Sequence, residues 1–155
     1  MRPRPGGIAV IAATLAVVVV VLAGCGSTQP SELVRESWPN TLAGTAWQAV
    51  VVAGRAPVAG SEPTALFALG DVSGTTGCNQ YGAGYEYAAG EIRVADIAST
   101  RIGCDGAVGQ VETLFIAALR ATRVVAIDEA GRLVLSGPEG EIRLIPAPQG
   151  IPAEG

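Results

Sequence analysis

Gly74-Thr75-Thr76-Gly77-Cys78-Asn79-Gln80-Tyr81, GTTGCNQY, lies near the middle of a 155-residue chain. Two glycines and two threonines lead into a cysteine and an asparagine side by side. Cys78 is either a nucleophile on an exposed loop or half of a structural staple. The choice separates an enzyme from a scaffold. A reactive thiolate needs a neighbouring base or cation to lower its pKa. The chain has no histidine, and all ten of its basic residues are arginine. Arg101 is the nearest of them in sequence to either Cys78 or Cys104.

The third cysteine sets the compartment. The chain opens MRPRPGGIAVIAATLAVVVVVLAGC, with Arg2 and Arg4 ahead of an apolar run of 16 residues from Ile8 to Ala23. A short positive region followed by such a run is the layout of a secretory signal peptide. The run is short of the ~20 residues that span a bilayer comfortably. Leu22-Ala23-Gly24-Cys25 is similar to a bacterial lipobox, in which the cysteine is lipidated and becomes the new N-terminus. The expectation is a signal peptide over 1–24, lipidation of Cys25 through a diacylglyceryl thioether (palmitate as an acyl chain), and a lipid anchor in the bacterial cell membrane. The arginines stay in the cytoplasm by the positive-inside tendency, so the remaining chain faces outside it.

Cys78 and Cys104 are then an even pair in an oxidising compartment, where disulfides persist. A bond between them closes a loop of 26 residues, which stabilises by roughly 3–4 kcal/mol on the chain-entropy account. A disulfide is the favoured reading. Two buried free thiols, and a reactive centre, stay open as alternatives.

Composition excludes several chemistries. Without histidine there is no Ser-His-Asp or Cys-His site. The common zinc sites that use histidine go with it, and two cysteines alone are too few for a thiolate cage. Without lysine, SGTTGCN has the glycines of a phosphate loop but not its Gly-Lys-Ser/Thr. From Cys25 onward, 8 arginines face 14 acidic residues, a balance of −6. That charge argues against a nucleic-acid partner. No metal, no cofactor and no enzymatic activity are expected, and the chain is expected to be a monomer.

Periodicity gives the organisation. Residues 25–40 carry the lipidated cysteine and a polar, proline-containing tether. Residues 147–155 form a Pro/Gly-rich tail expected to be disordered. Between them, residues 41–146 read as one domain. Strands are expected at Thr45–Val52, Thr64–Leu69, Tyr81–Tyr87, Ile92–Ala95, Val124–Ile127, Arg132–Leu135 and Glu141–Ile145, separated by glycine-containing turns. Gly70-Asp71 reads as a turn that closes the second. One segment has a different period. Val111, Leu114, Phe115, Ala118 and Leu119 fall on one face of a helix, with Asp105 or Gly106 as its cap and Glu112 in its first turns. The fold class is α+β and mainly antiparallel β: a curved, partly open barrel-like sheet packed on one amphipathic helix.

These residues, taken in order, resemble the META/HslJ domain family. The family's opening motif stands here as Leu42-Ala43-Gly44-Thr45-Ala46-Trp47 and its central motif as Gly74 through Tyr81. Ile97-Ala98-Ser99-Thr100 with Cys104, and the helix positions Glu112 and Phe115, follow in register. Ile102-Gly103 stands where many relatives have Met-Ala, and the last strand lacks an aromatic residue often found there. The resemblance implies a bacterial, often exported or lipid-anchored domain, in some members associated with heat or antibiotic stress. It carries no catalytic residues. Gly44, Thr45, Trp47, Gly74, Gly77, Asn79, Tyr81, Thr100, Glu112 and Phe115 are therefore expected to be structural, with Asn79 bonding nearby backbone in a turn.

The functional expectation is a non-enzymatic envelope protein that binds an unknown envelope protein or a small ligand in stress response or envelope maintenance. One alternative is an apolar ligand or acyl chain held in the open sheet. A less favoured one is a hydrolase in which Asp96, Asp105 and Glu112 converge near Cys104. Tyr81, Tyr85 and Tyr87 form a further candidate patch on one strand face, exposed to a partner or covering the sheet.

Overall fold

The computed structural model describes residues 39–148. The expected signal peptide, Cys25, the expected tether as far as Trp38 and the tail from Gln149 lie outside the described residues. No helix among the described residues is long and apolar enough to cross a membrane.

Eight strands and one helix follow in the order β1 (Thr45–Val52), β2 (Thr64–Phe67), β3 (Asp71–Thr75), β4 (Gln80–Ala88), β5 (Glu91–Ser99), α1 (Gly106–Ala121), β6 (Val124–Ile127), β7 (Leu133–Gly137) and β8 (Gly140–Pro146). Every strand pairs antiparallel with its sequence neighbour, and β8 returns to β1 to close a barrel. Closure removes free sheet edges. The circuit is thinnest between β5 and β6, which share the single pair Glu91↔Val124. The connection through α1 separates these two strands in sequence, and the helix packs chiefly on β5, with further contact to β1, β7 and β8.

The sheet's inner face and the helix stripe bury one another. Alternation in β8 buries Ile142 and Leu144, and in β5 it buries Ile92 and Val94, the period-two signature of a strand with one wet face. On α1 the buried residues are Val111, Phe115, Ala118 and Leu119. Phe67, Phe115, Leu119, Leu133 and Leu135 are among the largest side chains in a core that fills the barrel. Each such side chain contributes about 1.5–3 kcal/mol by leaving water.

Two expectations need correction. Asp71 stands in the turn expected at Gly70-Asp71, yet it opens β3, which pairs with both β2 and β4. Its sequence, DVSGT, offers only Val72 to the core, too little apolar alternation to show a strand. Asp105 occupies the N-cap position, but its side chain makes no capping bond. Just past β8, the Ala147 N–H donates to the Ala46 carbonyl at 2.9 Å.

The three tyrosines do share one face of β4, but that face points inward. Tyr81 is buried, and Tyr85 and Tyr87 pack against the core. Their hydroxyls donate to the carbonyls of Thr64, Ala68 and Pro39 respectively. The register shift between β4 and β5 places the additional residue on β5, where Asp96 has φ 54°. The alternation of β4 is therefore unbroken. Burial also raises the Tyr81 hydroxyl far above an ordinary tyrosine.

Candidate functional site

The GTTGCNQY stretch spans the end of β3, a tight turn and the start of β4. Within the turn, the Thr76 N–H donates to the Asn79 carbonyl at 2.7 Å. The Thr76 hydroxyl accepts from the Asn79 N–H at 2.8 Å and lies 2.9 Å from Glu112 Oε1, to which it donates. Two glycines permit close backbone approaches here. Gly77 has φ 91°, and a Cβ there would run into the Ser61 carbonyl. Gly74 lies within β3 rather than in a turn, and a Cβ there would collide with the backbone of Thr64 on β2. Both positions exclude any larger residue.

Cys78 leaves this turn toward the segment that precedes α1, where it is disulfide-linked to Cys104 with a Cα–Cα separation of 6.2 Å. Asn79 points the same way and is only 3% exposed. Its Oδ1 accepts from the Thr100 hydroxyl at 2.8 Å and the Ile102 N–H at 2.7 Å. Its Nδ2 donates to the Ile102 carbonyl at 3.0 Å and to Glu112 Oε1 at 2.8 Å. One amide side chain thus satisfies a β-ladder end, an irregular loop and a helix carboxylate. Thr100 closes the circuit by accepting from the Gln80 N–H at 3.1 Å.

The charge of Glu112 is met by hydrogen bonds. The ion pairs among the described residues are Arg132–Asp128 and Arg143–Glu141, and neither involves it. Hydrogen bonds to a charged group are about twice as strong as neutral ones, so Asn79 and Thr76 anchor α1 to the β3–β4 turn. Asp96 and Asp105 are exposed and share no hydrogen bond with Glu112.

The first motif is a separate latch. The Gly44 N–H donates to the Phe67 carbonyl at 2.7 Å. The Thr45 hydroxyl donates to the Leu42 carbonyl at 2.6 Å, and Trp47 Nε1 donates to Thr45 Oγ1 at 2.7 Å. Trp47 is half-buried against the core, and Tyr81 and Phe115 meet edge to face with ring centroids 5.4 Å apart. Glu112, Asn79, Thr100, Cys78 and Cys104 therefore form one constellation, and Gly44, Thr45 and Trp47 another.

A META domain family model matches residues 40–148, which include both constellations. The chain belongs to the META domain family. Two solved structures share the META fold seen here. One is an NMR structure of a protein from Burkholderia xenovorans, 22% identical, with a TM-score of 0.58, covering 70% of this chain and 84% of that one. The other, an NMR structure with 18% identity and a TM-score of 0.52, covers 64% of this chain and 86% of its own. At these identities the likeness concerns the fold. No curated protein matches the chain.

Sequence reasoning missed two features of this META domain. Thr76 is fully buried and coordinates the turn, although it looks like one more small loop residue. An open groove of about 440 Å³ lies beside the β4–β5 turn and the start of β6. Glu86, Glu91, Arg93 and Arg123 line it together with Tyr87, Ile92 and Val124. It adjoins Glu91 and Val124, the single pair that joins β5 to β6.

Proposed function

We propose that this META domain is an exported, lipid-anchored, non-enzymatic binding module of the bacterial envelope, serving stress response or envelope maintenance. The observation that carries this reading is the state of the central motif. Both sulfurs are joined, and Asn79 with its amide and Glu112 with its Oε1 hold the turn, the loop and the helix together. Such a site suits a rigid scaffold. The lipobox-like Leu22–Cys25 and the acidic balance support export and anchoring without nucleic-acid contact.

The groove beside the β4–β5 turn is the surface on which we place binding. Its volume is in the range of small-ligand sites. Its two acids and two guanidiniums beside apolar residues suit a partner that carries both charges. The barrel interior favours this reading over an acyl-chain binder, since Phe67, Phe115, Leu119 and Ile142 already occupy it. The test places a photo-crosslinking residue at Val124 in intact cells, with another at exposed Gln80, at the far end of β4 from the groove, as control. One discrete adduct at 124 and none at 80 is expected. Equal labelling at the two positions would remove the groove from the proposal. Radiolabelled fatty acid appearing in the native chain but not in Cys25→Ser tests the anchor separately.

A further inference from the structure

The Cys78 and Cys104 sulfurs and a carboxylate oxygen of Glu112 lie within 4.8 Å of one another. While the sulfurs are bonded to each other they are neutral and poor ligands. Reduction would place two thiols beside an anchored carboxylate. We propose that the reduced domain binds one thiophilic divalent cation, such as Zn²⁺, through Cys78, Cys104 and Glu112, with solvent in the fourth position.

The donor set fits that ion. Thiolates prefer zinc over magnesium or calcium, and two sulfurs, one oxygen and a water make a four-coordinate site. Glu112 is prepared for the role, because Asn79 and Thr76 both donate to Oε1 and neither takes Oε2. The supporting shell exists as well. Asn79 Nδ2 lies 3.3 Å from the Cys78 sulfur, and its own orientation is fixed by Thr100 and Ile102. Groups of this kind orient metal ligands and tune their affinity. The three ligands also come from separate supports: the β3–β4 turn, the segment before α1, and the helix itself.

The chemistry balances with one reductant. A dithiol supplies two electrons and two protons, the S–S bond breaks to two thiols, and the dithiol leaves as its own disulfide. The cation then displaces both thiol protons as the two thiolates bind. A tetrahedral site with Zn–S bonds of about 2.3 Å holds its sulfurs about 3.8 Å apart. With the Cα atoms 6.2 Å apart, side-chain rotation provides that separation without moving the backbone.

The test uses the full chain carrying Cys25→Ser, so that no third thiol competes. The chain is reduced anaerobically, its fold is checked by circular dichroism, and Co²⁺ is added as a spectroscopic substitute for Zn²⁺. The expected result is one Co²⁺ per chain, with a thiolate-to-cobalt charge-transfer band that appears only after reduction and disappears on adding Zn²⁺. Glu112→Gln keeps an oxygen to accept from Asn79 and Thr76, so it retains the fold while binding at least tenfold more weakly. Asp105→Asn binds as the parent does. A reduced chain that unfolds, or that folds without the band, overturns the proposal. So does a Glu112→Gln chain that binds as tightly as the parent.

Discussion

Replacing Asn79 by alanine tests the network at its busiest atom. The side chain makes four short hydrogen bonds, one to the Glu112 carboxylate and three to Thr100 and the Ile102 backbone. A bond to a charged group is worth about 1.5–3 kcal/mol, and an ordinary one about 0.5–1.5. Thr100 and Ile102 are exposed, so water replaces much of what they lose. Glu112 is half-buried and recovers less. The sum is a loss of about 3 kcal/mol, a large share of the ~5–15 typical of a domain. Urea denaturation with the disulfide intact measures it. With a slope near 1.5 kcal/mol/M, the midpoint falls by about 2 M. Thr100→Ala, which removes one exposed partner, should lose about 1 kcal/mol or less. A loss below about 1 kcal/mol for Asn79→Ala, or equal losses for the two variants, would refute the idea that Asn79 ties α1 to the turn.

Other perturbations address the remaining supports. Gly77→Ala forces a Cβ against the Ser61 carbonyl at a positive φ and should cost 2 kcal/mol or more. Gly82→Ala, which meets nothing within 4 Å, should stay within about 0.5 kcal/mol in the same denaturation assay. Replacing both Cys78 and Cys104 by alanine removes the closure of a 26-residue loop and should lower stability by about 3.5 kcal/mol, read by the same method. Backbone donation from Arg132, with its side chain and the Ala130 N–H, holds the Asp128 carboxyl below its ordinary value of 3.8. A depressed folded value gives stability that is present above pH 3.8 and lost as pH falls through the lower folded value. Asp128→Asn should therefore flatten the decline of thermal midpoint below pH 4, and an unchanged profile would contradict that assignment.

Local patterning carried most of the architecture. β1 and β6 have the bounds that their β-branched residues announce, and the helix stripe from Val111 to Leu119 is the face that is buried. What sequence concealed was tertiary in origin. β3 exists because β2 and β4 flank it, not because DVSGT alternates. The inward direction of Tyr85 and Tyr87 depends on which strand carries the bulge, and it is β5. Asn79 was expected to bond its own turn through its side chain. Its decisive partners instead stand 23 and 33 residues away, at Ile102 and Glu112. The pairing of Cys78 with Cys104 was legible from the expected compartment and the count, and of the three carboxylates read as converging near Cys104 only Glu112 stands beside the sulfurs.

The account rests on GTTGCNQY being a stapled turn in an anchored, exported chain. The most direct measurement is the intact mass of the native protein from the membrane fraction, alkylated before and then after reduction. The account predicts a lipidated chain that begins at Cys25 and takes up two alkyl groups only after reduction. Alkylation of Cys78 in the unreduced protein would contradict it and return that residue to consideration as a reactive centre.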